Sequence, residues 1–77
     1  MHSIVIRKSL LYAYEEALGE TNLAEPLGYL PEGTTVINQE THEPLEKDGN
    51  LFHMIYDPER GEFGFIKEDA LLIFNRV

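Results

Sequence analysis

Two apolar-rich runs late in the chain, Gly49 to Tyr56 and Glu62 to Ile66, flank the segment Asp57-Pro58-Glu59-Arg60-Gly61. Two such runs around a short segment holding Pro and Gly are the sequence pattern of a β-hairpin. Pro58 is pre-set for the first corner of a turn, and Gly61 can adopt the positive φ that closes it. In the first run Leu51, His53 and Ile55 fall on one face, and Phe52, Met54 and Tyr56 on the other. One of these faces is expected to pack inward. A lone hairpin cannot bury it, so the rest of the chain must supply more strands.

The means for doing so are limited. Residues 1–77 make one domain, near the lower size limit for an unaided core. There is no Cys, hence no disulfide and no thiolate metal site. Stability must come from packing or from a partner subunit. No apolar run approaches the roughly 20 residues of a membrane span. The start, Met1-His2-Ser3-Ile4-Val5-Ile6-Arg7-Lys8, lacks the basic, apolar and small-residue regions of a secretion signal, so the expected location is cytoplasmic.

The net charge of −8 is unevenly spread, with Glu15, Glu16, Glu20, Glu25 and Glu32 concentrated in the first half. An acidic face repels phosphate backbones, which disfavours direct nucleic-acid binding. It suits a basic surface on another protein, and it also serves solubility.

Along the chain, Ile4-Val5-Ile6 is a β-branched run that begins a strand. Ser9 to Leu18 is ambiguous. With period two, Leu10, Tyr12 and Tyr14 share a face. With period 3.6, Leu10/Leu11, Tyr14 and Ala17/Leu18 form a stripe between a Ser9 cap and Gly19. Local propensity favours a helix, but the strand-rich context favours a strand, and the strand is the reading adopted. Glu20 to Gly28 is predicted to be a loop, because Thr21-Asn22 and Pro26 break regular structure. Gly28-Tyr29-Leu30 enters a strand, Pro31-Glu32-Gly33 turns it, and Thr34-Thr35-Val36-Ile37 continues it. Gln39 to Asn50 is predicted to be a connecting loop. After the hairpin, Lys67-Glu68-Asp69-Ala70 suits one 3₁₀ turn, and Leu71-Leu72-Ile73-Phe74 a final strand. Five to six short antiparallel strands at even spacing, with one helical or 3₁₀ turn, suit a small all-β barrel.

Gly28-Tyr29-Leu30-Pro31-Glu32-Gly33-Thr34-Thr35-Val36, Gly49-Asn50-Leu51-Phe52-His53-Met54 and Gly64-Phe65-Ile66 followed by Leu71 resemble the bacterial SH3-like domain family. Gly19-Glu20-Thr21-Asn22 to Gly28 is similar to that family's long first loop. Leu10-Leu11-Tyr12-Ala13-Tyr14-Glu15-Glu16-Ala17 resembles the opening strand of eukaryotic SH3 domains, where paired tyrosines line the ligand groove. The resemblance covers residues 10–74 and implies an SH3-like small β-barrel. The departures bear on function. Leu51 and Phe65 stand where the family usually has tryptophans, and Lys67 and Ala70 replace the proline and tyrosine that complete a polyproline groove. Such grooves grip a preformed proline helix between flat aromatic walls, so the resemblance implies the fold more than that ligand.

No residue set reads as an active site. His2, His42 and His53 share no ligand spacing, and a zinc site needs about four ligands. Ser3 and Ser9 sit in no nucleophile elbow. Gly61-x-x-Gly64 joins a turn glycine to a strand glycine and is not a phosphate cradle. The expectation is therefore a non-enzymatic protein–protein interaction module without cofactor or metal, acting through an acidic face. Its candidate partner-binding residues are Tyr12, Tyr14, Glu15, Glu16, Glu20, Glu25, Phe52 and Tyr56, since tyrosine amid acids makes a suitable protein-binding patch. One alternative is a phage-type acidic inhibitor occupying a basic, nucleic-acid-binding site on a host protein. Another is an assembly protein that oligomerises through the edges of Ile4-Val5-Ile6 and Leu71-Leu72-Ile73-Phe74.

Overall fold

The computed structural model describes residues 2–73, and there the chain is all-β apart from one 3₁₀ turn. The elements are β1 (His2–Val5), β2 (Ser9–Ala17), β3 (Glu20–Leu30), β4 (Thr35–Asn38), β5 (Leu45–Lys47), β6 (Asn50–Asp57), β7 (Glu62–Lys67), the 3₁₀ turn Glu68–Ala70, and β8 (Leu71–Ile73). They form one antiparallel sheet in the order β3-β2-β7-β6-β4-β1-β8, with β5 paired to β6 beside this path. No ladder joins β3 to β8 among the described residues, so the sheet is open. Eight strands replace the five to six expected. Phe74, assigned above to the last strand, lies outside the described residues.

The β6–β7 hairpin forms where the sequence places it, in register from Phe52↔Lys67 to Asp57↔Glu62. Gly61 closes the turn at φ +68, and its N–H donates to the Asp57 carbonyl at 2.8 Å. Ser9–Ala17 is a strand and not a helix. It ladders with β3 and β7, and Leu11 packs in one cluster while Tyr12 and Tyr14 pack on the other, as successive side chains of a pleated strand do.

Two expectations are corrected here. The stretch from Glu20 to Gly28 is not a loop but most of the longest strand, β3. It pairs with β2 from Ala17↔Glu20 to Ser9↔Leu30. The register slips between Leu11 and Tyr12 and again between Tyr12 and Tyr14, so β3 holds extra residues in bulges. Pro26 is tolerated for that reason: it sits beside the bulges, on a strand with no second neighbour. The stretch from Gln39 to Asn50 likewise is not wholly a loop, since Leu45–Lys47 pairs back on β6 across Asp48-Gly49. Both of those turn residues have positive φ, +53 and +80, the signature of a type I′ hairpin turn.

The single inward face expected of the hairpin is also corrected, because both faces of β6 are covered. Ile55 joins Val5, Leu11, Leu30, Val36, Ile66, Ala70 and Leu71 in the main core. From the opposite face, Phe52 and Met54 join Phe65 in a second cluster, packed against Tyr12, Tyr14, Leu23 and Leu45. The outer half of the β2–β3 hairpin and β5 supply its cover. Two-sided burial lets a chain of this size bury large side chains without a covalent staple. Finally, β1 lies between β4 and β8, so Ile4-Val5 offers no free edge; among the termini, β8 does.

Candidate functional site

The second cluster carries the site. On β2, Tyr12 and Tyr14 project to the face opposite Leu11. Tyr12 meets Phe52 edge-on with ring centroids 5.8 Å apart, and Tyr14 meets Phe65 in the same way, also at 5.8 Å. Edge-to-face contacts of this kind fix ring orientation and add about 0.5–1.5 kcal/mol beyond area burial. The Tyr12–Phe52 pair floors a groove of ≈ 360 Å³ between the β2–β3 hairpin and the β5–β6 turn. Leu23 and Ala24 form one wall, and Lys47, Asp48, Asn50 and Lys67 form the other rim. A larger depression of ≈ 480 Å³ lies between Pro31–Thr35 and Pro58–Glu59. It is framed by two turns with no aromatic floor, so size alone does not make it the better candidate.

Beyond the groove, the β2–β3 hairpin extends as an arm. Glu15, Glu16 and Glu20 are exposed on its outer half, and Glu25 is exposed at the bulge. Cross-strand partners Asn22, Thr21 and Ala17 face Glu15, Glu16 and Glu20 respectively, none of them a cation. These four carboxylates make no ion pair among the described residues. The arm turns through Leu18 and Gly19 at φ +55 and +78. Leu18 is 103% exposed.

Of the eight candidate residues, the structure brings together Tyr12, Tyr14 and Phe52, with the acids on the same arm as the tyrosines. Phe52 itself is only 6% exposed and acts as floor more than contact surface. Tyr56 stands apart. It pairs across the hairpin with Phe63 at 4.7 Å, toward the Pro58 turn. Sequence reasoning missed Leu23, Lys47 and Lys67. Leu23 was hidden in a stretch read as loop. Asp48-Gly49 was the available signal for β5 and so for Lys47, since Asp-Gly flanked by apolar residues marks a hairpin.

Asp57, 1% exposed, accepts the Glu59 N–H at 3.1 Å and has Arg60 Nε at 3.7 Å. His53 Nε2 lies 2.7 Å from Glu68 Oε2 and ties β6 to the 3₁₀ turn. Among the described residues, no three His, Cys, Asp or Glu side chains group as metal ligands, and no helix is long and apolar enough to cross a membrane. Comparison with protein-family models, curated proteins and solved structures gives no match to this chain.

Proposed function

We propose that the chain is a non-enzymatic protein-interaction module of SH3-like build, engaging a basic partner through the acidic arm and the aromatic groove at its base. The observation that carries this is the convergence of Tyr12, Tyr14 and Phe52 in one aromatic patch directly below an acidic arm that makes no ion pair among the described residues. Three features favour the SH3-like reading. The arm stands where the family has its long first loop. Leu11 enters the main core while Tyr12 and Tyr14 lie half-buried on the opposite face, beside the groove, as the resemblance to the paired tyrosines implies. A 3₁₀ turn separates β7 from β8.

Tyrosine side chains give large contact area at low entropic cost, and acids around them steer a basic surface into register. Such association is salt-sensitive, because exposed charges are screened beyond about 10 Å at 0.1 M salt. The test is capture from cell extract on the immobilised chain at low and at above-physiological salt. Capture of a basic protein that weakens with salt supports the reading. Salt-insensitive capture, or none, overturns it.

A further inference from the structure

Three features of the arm and the groove fit one another. The first is Leu18, fully exposed at the outermost point of the arm. It sits at φ +55, a conformation that Asn or Gly adopts with less strain. A large apolar side chain at such a position gains nothing within its own chain. The second is the pair Lys47 and Lys67. In a chain of net charge −8 they meet at the rim of a single groove, and neither is in an ion pair among the described residues. By contrast, Arg60 is held by Asp57 and the Tyr29 carbonyl, and Lys8 lies over the Tyr29 ring. The third is the groove itself, apolar at Tyr12, Leu23 and Phe52 and ≈ 360 Å³ in volume. An apolar cavity of about 150 Å³ already holds a benzene, so the groove has room for a leucine side chain.

An apolar tip between two acids thus belongs to the same molecule as a groove with an apolar floor and a polar rim, on which two lysines outnumber the one carboxylate, Asp48. We propose that the arm docks into the groove of a second copy of this chain, reciprocally across a two-fold axis. Leu18 seats on Tyr12, Leu23 and Phe52, and Glu16 and Glu20 lie beside Lys47 and Lys67. The groove is built at the base of the same arm, so one two-fold operation brings both arms to both grooves, the self-complementary arrangement of an isologous dimer. The like net charge of two copies opposes approach at long range. At roughly 0.15 M salt this repulsion is screened beyond about 8 Å, while pairs in contact are screened less. The proposal rests on the groove being a docking surface, but its occupant differs from the basic partner above. Self-association can fail while salt-sensitive capture survives.

The experiment is analytical ultracentrifugation of the full chain at roughly 0.15 M salt, from micromolar to millimolar concentration. The wild type is expected to pass from monomer to dimer. Leu18→Asn, which suits the turn better than leucine, is expected to stay monomeric and folded by circular dichroism. Two double variants complete the test: Glu16→Lys with Glu20→Lys reverses the arm, and Lys47→Glu with Lys67→Glu reverses the groove. Each alone is expected to be monomeric, because its arms then match the sign of its own groove. Mixed in equal amounts, they are expected to recover the dimer, since each arm again meets a groove of opposite sign. Both variants remain net negative, so overall attraction does not explain recovery. A wild type that stays monomeric at millimolar concentration, a Leu18→Asn variant that dimerises as the wild type does, or a mixture that stays monomeric would each overturn the proposal.

Discussion

Arg60 donates a 2.7 Å hydrogen bond from Nη2 to the backbone carbonyl of Tyr29, 31 residues earlier in the chain. The same guanidinium has its Nε 3.7 Å from the buried carboxylate of Asp57. One side chain in the β6–β7 turn therefore sets its charge beside a buried acid and pins the far end of β3, which has a neighbour on one side only. Glycine at position 28 makes room for it: at φ +136, an added Cβ would lie 3.0 Å from Arg60 Nη1.

Removing this clamp is expected to cost about 1.5–3 kcal/mol in Arg60→Ala, the range for hydrogen bonds that involve charged groups. Arg60→Lys should recover only a minor part, because a compact ammonium cannot span two acceptors as a planar fork does. Urea denaturation of both variants checks this. A Lys variant as stable as wild type would show that charge alone, and not the fork geometry, holds β3.

Gly64 performs a different task in the same hairpin. Its φ is not in the left-handed region, but an added Cβ would stand 2.8 Å from the Tyr12 carbonyl oxygen and 2.9 Å from the Leu11 side chain. The close approach of β7 to β2 depends on there being no side chain. Gly64→Ala is expected to lose about 2–3 kcal/mol through forced backbone separation. It should also perturb the Tyr12 and Tyr14 ring resonances, since Tyr14 packs on the adjacent Phe65. Equilibrium denaturation and proton NMR of the aromatic region measure the two effects.

Ser3 shows the opposite situation. Its hydroxyl is fully buried in β1 and has no hydrogen-bond partner among the described residues. A desolvated, unpaired hydroxyl costs roughly 1–3 kcal/mol by mutational measures. Ser3→Ala is expected to stabilise the domain by about 1 kcal/mol, a rise in Tm of about 4–8 °C for a domain of this length. A thermal melt that falls instead would mean that the hydroxyl is paired in solution.

How far such features could be read from residues alone depends on whether their cause is local. Pro58 and Gly61 carry the hairpin turn within themselves, and the 3₁₀ turn follows from the polar interruption at Glu68-Asp69. The strand at Ser9–Ala17 was legible only through context, because its helix propensity is overridden by pairing with β3 and β7. β3 was not legible. Pro26 and Thr21-Asn22 do signal a break, and only the bulges, which depend on the partner strand, turn that break into an irregular edge strand. The floor of the site was half visible: Tyr12, Tyr14 and Phe52 stood out as aromatic residues, but the lysines at its rim come from elements far apart in sequence. Tyr56 was grouped with them because alternation puts it on Phe52's face. Alternation gives the face of a strand, not the position along it, and Tyr56 lies at the other end beside Phe63.

Leu18 offers a prediction on stability that is separate from self-association. A leucine in the left-handed region costs about 1–2 kcal/mol relative to its ordinary conformations. With no packing to lose, Leu18→Asn should raise the Tm of a dilute, monomeric sample by about 4–8 °C. A variant that melts lower would mean that the leucine packs within its own chain, contrary to its full exposure.

The acidic arm is expected to trade stability for binding. Glu15, Glu16 and Glu20 are exposed on one short hairpin end, with no cation among their cross-strand partners. Like charges close together on a hairpin repel, and they persist at low salt because little screens them. Replacing all three by Gln keeps size and polarity but removes the repulsion. The triple variant should therefore melt higher than wild type in low-salt buffer, and the difference should shrink as salt is added. The same variant should lose salt-sensitive capture of a basic partner, because the steering charge is gone while the aromatic groove at the base of the arm is untouched. Thermal melts across a salt series and parallel capture with both proteins decide the matter. If capture survives neutralisation at every salt concentration, the groove and not the arm's charge recruits the partner, and the electrostatic part of the proposed function falls.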